Sequence, residues 1–146
     1  MTPAQLSALK AEILGRADCS AAVSARDLDT IAALISTGRK ATQLRFVTAR
    51  TIFGECAGGQ GIYDALNAAA TGNSAVKMAV NFLNQDSGLD IGNPATQGMI
   101  DQLMAGTAPA LTAAQGASLK ALANLPQTIS RLDVEAALFN ANGTAK

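Results

Sequence analysis

Apolar residues recur at helical spacing along most of this chain, and most of the runs begin and end at a recognisable cap. Thr2 caps and Pro3 opens a first helix carrying Leu6, Leu9, Ile13 and Leu14, with Gly15 as its stop. Ser24 and Asp27 stand at capping-box spacing ahead of Leu28, Ile31, Leu34 and Ile35, which predicts a second helix ended by Gly38. From Thr42 the residues Leu44, Val47, Ile52 and Phe53 run with Arg45 and Arg50 between them, predicting a third helix that stops near Cys56 to Gly59. The β-branched residues of that stretch make a strand the lesser alternative.

Ile62 and Leu66 mark a fourth helix ending near Gly72, and Asn73 or Ser74 caps a fifth through Val76, Val80, Phe82 and Leu83. The segment from Asp86 to Pro94 is rich in turn residues. Within it Asn93 can cap and Pro94 can open a sixth helix bearing Met99, Ile100, Leu103 and Met104, closed by Gly106. Thr112 starts a seventh through Leu119 and Leu122, Pro126 breaks the chain, and Ser130 with Asp133 begins a last helix with Val134 and Leu138. Thr2, Ala4, Gln5, Leu9, Lys10 and Ala11 recur in register as Thr112, Ala114, Gln115, Leu119, Lys120 and Ala121. The segments that follow do not match, so the echo predicts two similarly capped helices rather than a repeat architecture. These signals predict an all-α fold, a compact single domain over residues 1–139 of about seven or eight short helices joined by tight Gly and Pro turns. The small polar residues 140–146 read as a flexible C-terminal tail.

Composition adds a constraint on the core. Of 146 residues 49% are hydrophobic but only 3% aromatic, so the interior must be built from aliphatic side chains. Alanine makes up about a fifth of the chain, an excess that favours helix over lipid affinity. No window approaches the roughly twenty uninterrupted apolar residues of a membrane span, and the first residues lack the pattern of a secretory signal, so synthesis in a cytosol and no membrane contact are expected. Eleven Lys and Arg balance eleven Asp and Glu, leaving no global field to draw in nucleic acid.

Candidate chemistry is sparse. The chain has no His, which removes Ser-His-Asp and Cys-His nucleophiles, H-E-x-x-H zinc sites and imidazole acid–base work near neutral pH. A carboxylate pair of the glycosidase kind would lack the aromatic residues that position a sugar. Cys19 and Cys56 are too few for a structural zinc and lack C-x-x-C spacing. They read as small buried residues, with a disulfide within or between subunits as the sharper alternative. Asp86, Ser87, Asp90 and Asn93 offer oxygens in a Gly-containing loop but fail the EF-hand order, so a helix-connecting turn accounts for them better. Gly58, Gly59 and Gly61 lack the Lys-Ser/Thr of a nucleotide-binding loop. The expectation is a non-enzymatic protein with no catalytic residue, cofactor or metal.

One charged feature remains. Arg39, Lys40, Arg45 and Arg50 form a basic stretch without an acidic residue among them, while Asp86, Asp90 and Asp101 form an acidic counterpart. A solvated face is the plain reading. The functional reading is a head-to-tail contact between copies that closes into a ring, with helix three and the Asp86–Pro94 loop at the interface. Nucleic-acid contact is the alternative, disfavoured because no aromatic platform accompanies the basic residues.

The opening Thr2-Pro-Ala-Gln-Leu-Ser-Ala-Leu-Lys-Ala-Glu-Ile-Leu14, the middle Arg45-Phe-Val-Thr-Ala-Arg-Thr51, the segment Asp86-Ser-Gly-Leu-Asp-Ile-Gly-Asn-Pro-Ala-Thr-Gln-Gly-Met-Ile-Asp-Gln-Leu103 and the closing Leu132-Asp-Val-Glu-Ala-Ala-Leu138 carry a resemblance. The chain resembles a family of small alanine-rich helical proteins encoded among the structural genes of tailed bacteriophages. The resemblance implies an assembly component of the virion, such as a neck, collar or connector protein or a tail-fibre adaptor, acting through other virion proteins and as a homo-oligomer. Its motifs are caps and turns, so it carries over no site residues. The runner-up reading is a small helical regulatory or nucleic-acid-binding module.

Overall fold

The computed structural model describes residues 1–140 and 144–146. Among these residues the chain is mostly helical, but it is not purely all-α, because four short strands form two small sheets. Contacts divide it into two compact units, Met1–Lys40 with Pro126–Lys146, and Ala41–Leu125. The boundaries fall inside two short strands, β1 (Lys40–Thr42) and β4 (Asn124–Pro126).

The first unit holds α1 (Pro3–Gly15), a 3-10 turn (Ala17–Cys19), α2 (Ser20–Ala25), α3 (Leu28–Ser36) and α9 (Arg131–Leu138). Thr2 caps α1 reciprocally with Gln5: the Gln5 N–H donates to the Thr2 hydroxyl at 3.3 Å and the Thr2 N–H to the Gln5 side chain at 2.7 Å. Asp27 caps α3 by accepting from the Thr30 N–H and hydroxyl, and Ser130 with Asp133 forms the capping box of α9. Helix α9 packs on α1 and on α3, burying Leu9, Ile13, Ile31, Ile35, Ile129, Val134 and Leu138 together. The Ser36 hydroxyl stitches this core to the returning chain, accepting the Ile129 N–H at 2.8 Å and donating to the Ala32 carbonyl at 2.7 Å.

The second unit holds β2 (Phe46–Val47), α4 (Ala49–Glu55), α5 (Gly59–Ala70), α6 (Ser74–Leu83), β3 (Leu89–Asp90), α7 (Pro94–Met104) and α8 (Ala113–Ala121). Helix α5 packs on α4 and α6, and α7 on α8, around Ile52, Ile62, Leu66, Val80, Leu83, Ile100 and Leu119. Gly59 is fixed by that packing, because a Cβ there would lie 2.2 Å from the Ile52 carbonyl oxygen. The caps expected at Asn73, Asn93 and Thr112 are all present, and α8 repeats the Thr-Gln capping box of α1. No helix of the described residues is long and apolar enough to cross a membrane.

Two expectations about where elements begin are corrected. The third helix does not start at Thr42: residues 40–47 supply β1 and β2, and α4 begins only at Ala49, where Thr48 and Thr51 cap reciprocally. Before that point the backbone has a better partner, since the Ile91 N–H donates to the Arg45 carbonyl at 2.9 Å. The turn-rich stretch of residues 86–94 accordingly contains β3, with Phe46 opposite Asp90 and Val47 opposite Leu89 in antiparallel register. Ser24 does not cap α3 but lies inside α2, its hydroxyl donating back to the Ser20 carbonyl. Of the C-terminal tail expected to be flexible, residues 141–143 lie outside the described residues. The remainder folds back on α9, with Phe139 bridged to Ala145 and the Lys146 N–H donating to the Leu138 carbonyl at 2.9 Å.

Candidate functional site

The β2–β3 ribbon of the second unit brings part of the basic stretch to part of the acidic one, within one chain. The Asp90 carboxylate accepts the N–H of Arg45 at 3.1 Å and that of Gly92 at 3.0 Å, so it holds the two strands together. The Arg45 guanidinium donates to the Leu122 carbonyl at 2.9 Å and to Glu55 at 2.6 Å. Gln97 donates to the Ile91 carbonyl at 2.6 Å, which fastens α7 to the end of the ribbon. Gly92 sits so close to the facing segment that a Cβ would lie 1.9 Å from the Gln43 carbonyl oxygen. Sequence reading gave no role to Gly92 or Gln97; the available signal was a glycine just after Leu-Asp-Ile, which marks a close backbone approach.

Side chains of this segment alternate against the usual sense. Val47 is fully buried and Arg45 is turned inward onto Leu122 and Glu55, while Leu44 and Phe46 are 69% and 67% exposed. Because the Ile91 N–H donates to the Arg45 carbonyl, Phe46, opposite Asp90, occupies the next, non-bonded position of the ladder and directs its own N–H and C=O away from β3. Among the described residues no strand pairs with that outer edge. Phe53, Met78 and Phe82 of the same unit are also exposed. Phe53 meets Tyr63 edge to face at 5.2 Å, and the Tyr63 hydroxyl donates to Asn84 at 2.7 Å.

The remaining charged candidates separate. Arg39 belongs to the first unit, donating to Glu12 at 2.5 Å and to Gln127 at 2.9 Å. Asp101 pairs with Lys120 at 2.7 Å. Lys40 and Arg50 are exposed, and Asp86 shares with Arg50 a surface groove that Thr48, Leu83 and Asn84 complete. Arg45 and Arg50 are thus placed differently: one is a structural anchor, the other a surface residue in the first turn of α4. The loop oxygens considered for calcium serve backbone donors, Asp90 as above and Asn93 on the Ala95 N–H. Among the described residues no three His, Cys, Asp or Glu side chains converge as metal ligands.

Cys19 and Cys56 are free thiols, each in the core of a different unit. Burial pushes both thiols up from their ordinary pKa, and the Cys56 thiol donates to the Ser118 carbonyl at 3.8 Å. A thiol with so little thiolate is a poor nucleophile, so the structure gives these cysteines a packing role. Comparison with protein-family models, with curated proteins and with solved structures gave no match.

Proposed function

We propose that this chain is a non-enzymatic structural component acting through protein–protein contacts, of the kind that forms a neck, collar, connector or tail-fibre adaptor of a tailed-phage particle as a homo-oligomeric ring beside other virion proteins. One observation carries the contact role. None of the four Phe is among the buried residues, and Phe46, Phe53 and Phe82 are each more than 40% exposed. Phenylalanine is among the residues most often fully buried, and aromatic residues are enriched where proteins meet. A chain that fills its core with aliphatic residues and keeps its aromatics outside has the distribution of a protein that finishes burying them on assembly. The phage assignment is supported by the sequence resemblance, and the ring by closed symmetry as the common outcome for copies that bind head to tail.

The test is mass spectrometry of purified phage particles whose genome encodes the chain, counting copies against the major capsid protein. From a few to about a dozen copies is the expected result for a ring. Absence from the particle would overturn the structural role. Retardation of duplex DNA at low salt, lost as salt rises, would move the reading to a nucleic-acid-binding module.

A further inference from the structure

The extended segment that carries β2 alternates in what its main chain bonds. The Gln43 N–H donates to the Ala123 carbonyl at 2.9 Å, the Arg45 N–H to the Asp90 carboxylate at 3.1 Å, and the Arg45 carbonyl accepts the Ile91 N–H at 2.9 Å. Leu44 and Phe46 use neither N–H nor C=O in a hydrogen bond to any described residue. Successive residues of a strand direct these groups to opposite edges, so the unused N–H and C=O groups of Leu44 and Phe46 form one row on the edge away from β3.

Edges of this kind are commonly blunted by proline, an outward charge or a bulge. Residues 41–48 contain no proline, and their one charge, Arg45, is turned inward onto Glu55 and the Leu122 carbonyl. On the solvent face stand the exposed side chains of Leu44 and Phe46. The edge therefore offers main-chain pairing and an apolar stripe together, which is what an added strand requires.

We infer that this edge pairs with the same edge of a second copy, antiparallel about a twofold axis at Arg45. Leu44 of each copy then lies opposite Phe46 of the other, and both positions are hydrogen-bonded pairs, so every unused N–H meets an unused C=O. The second copy is selected because the edge is its own complement in donors, acceptors and apolar side chains. An axis at Leu44 would set Phe46 against Thr42, and one at Phe46 would set Leu44 against Thr48, whose N–H and C=O already serve the cap and first turn of α4. Only the axis at Arg45 joins leucine to phenylalanine twice, an apolar cross-strand pair of the kind that stabilises sheets. The two Arg45 side chains fall opposite each other on the other face, where each keeps Glu55 of its own chain as counter-ion at 2.6 Å. Two short strands make a contact at the small end of specific interfaces, so the pairing is weak and depends on concentration. The inference rests on the homo-oligomeric part of the proposed function, and the two fail separately: absence from the particle would overturn the virion role without touching the pairing.

Amide hydrogen exchange of the full chain across a concentration series, read beside sedimentation, tests it. The Leu44 and Phe46 amides, open in the dilute protein, should gain about tenfold protection in the concentrated one as a dimer forms, while the Arg45 amide, already bonded, changes little. Leu44→Pro removes an N–H that the folded chain does not use, so the variant should stay folded and remain monomeric. Open amides at both positions at every concentration, a dimer that leaves them open, or undiminished dimer in a folded Leu44→Pro would each overturn the pairing. Amides that stay open in the isolated chain and close only in an assembled particle would give the edge to a strand of another protein, and equally overturn it. The exchange series on the parent decides the matter even where the proline variant does not fold.

Discussion

The two units begin from the same local grammar and reach different surfaces. Helix α1 of the first and α8 of the second open with the same Thr-Gln capping box and bury a leucine at the same position, Leu9 and Leu119, each 1% exposed. The first unit then builds its core from helices, with the Phe139–Ala145 bridge after α9, and its arginines mostly serve ion pairs, Arg16 with Asp18 and Arg39 with Glu12. The second places a two-stranded ribbon among its helices, turns an arginine inward and leaves five large apolar side chains exposed. Similar caps therefore settle where helices start and leave open what the surface is for. Surface chemistry is set by the few residues that depart from the amphipathic pattern.

Both cores should respond alike, and the largest expected effect tests that parity. Ile31→Ala in the first unit and Ile62→Ala in the second each remove a fully buried side chain, at an expected loss of about 2–5 kcal/mol. Urea denaturation read with amide exchange should show the loss of protection in the unit that carries the substitution. A cost below 1 kcal/mol at either site would show that its core is loosely filled.

The next effect belongs to the second unit only. Gly92→Ala forces a Cβ against the Gln43 carbonyl and should destabilise by about 3 kcal/mol. Gly98→Ala in α7, where nothing lies within 4 Å of the added carbon, should stabilise by about 0.5–1 kcal/mol. Thermal melts of the pair check the opposite signs. A neutral Gly92→Ala would mean that the ribbon yields freely and does not position Leu44 and Phe46.

Much of this contrast was legible in sequence, and the limits have physical causes. The caps Thr2, Asn73, Asn93, Thr112 and Ser130 were readable because each acts on a backbone N–H within three residues. The strands were not, because Phe46–Val47 is held by Asp90 and Ile91, more than forty residues away. Apolar spacing over residues 44–53 fits a helix as long as that partner is ignored. Helix α2 was missed because it is short and its cap position, Cys19, supplies no side-chain hydrogen bond. The proposed charged interface shared the same blindness: it treated Arg45 and Asp90 as surface groups, whereas each is engaged inside one unit. The exposed aromatics had no sequence signal, since a Phe in an apolar run looks the same whether it faces in or out.

Arg45 gives the next test. Arg45→Met keeps the apolar stem and removes the donors to Glu55 and the Leu122 carbonyl, with an expected loss of about 1–2 kcal/mol. Arg50→Met, at an exposed site, should change stability by less than about 0.5 kcal/mol. Equal melting temperatures for the two variants would remove Arg45 from the anchoring role.

Acid should instead single out the first unit. The Asp18 carboxyl is held below its ordinary value by its hydrogen bond to Arg16, Asp27 by Thr30 and Asp133 by Ser130, and all three lie in that unit. A lowered carboxyl pKa contributes stability that is fully present above the unfolded value, about 3.9, and is lost as pH falls through the lower folded value. Amide protection at the starts of α3 and α9 should therefore decline below about pH 4, modestly because the groups are exposed and screened. Protection that stays flat down to pH 2 would deny these caps an electrostatic share.

The smallest expected change in stability carries the largest functional difference. Phe46→Ser alters a side chain that is 67% exposed and turned away from the core, so the folded chain should lose no more than about 0.5 kcal/mol. If the outer edge of β2 is a contact surface, the same substitution should weaken association far more, since an aromatic anchor at an interface typically costs at least 2 kcal/mol when truncated. Light scattering of parent and variant across a concentration series separates the two terms, with Leu132→Ser in the first unit as the matched control at an equally exposed leucine. A selective loss at Phe46 would assign contact to the ribbon of the second unit. An equal effect at both positions, or none, would mean that exposed apolar area alone, rather than the strand that displays it, accounts for how this chain associates.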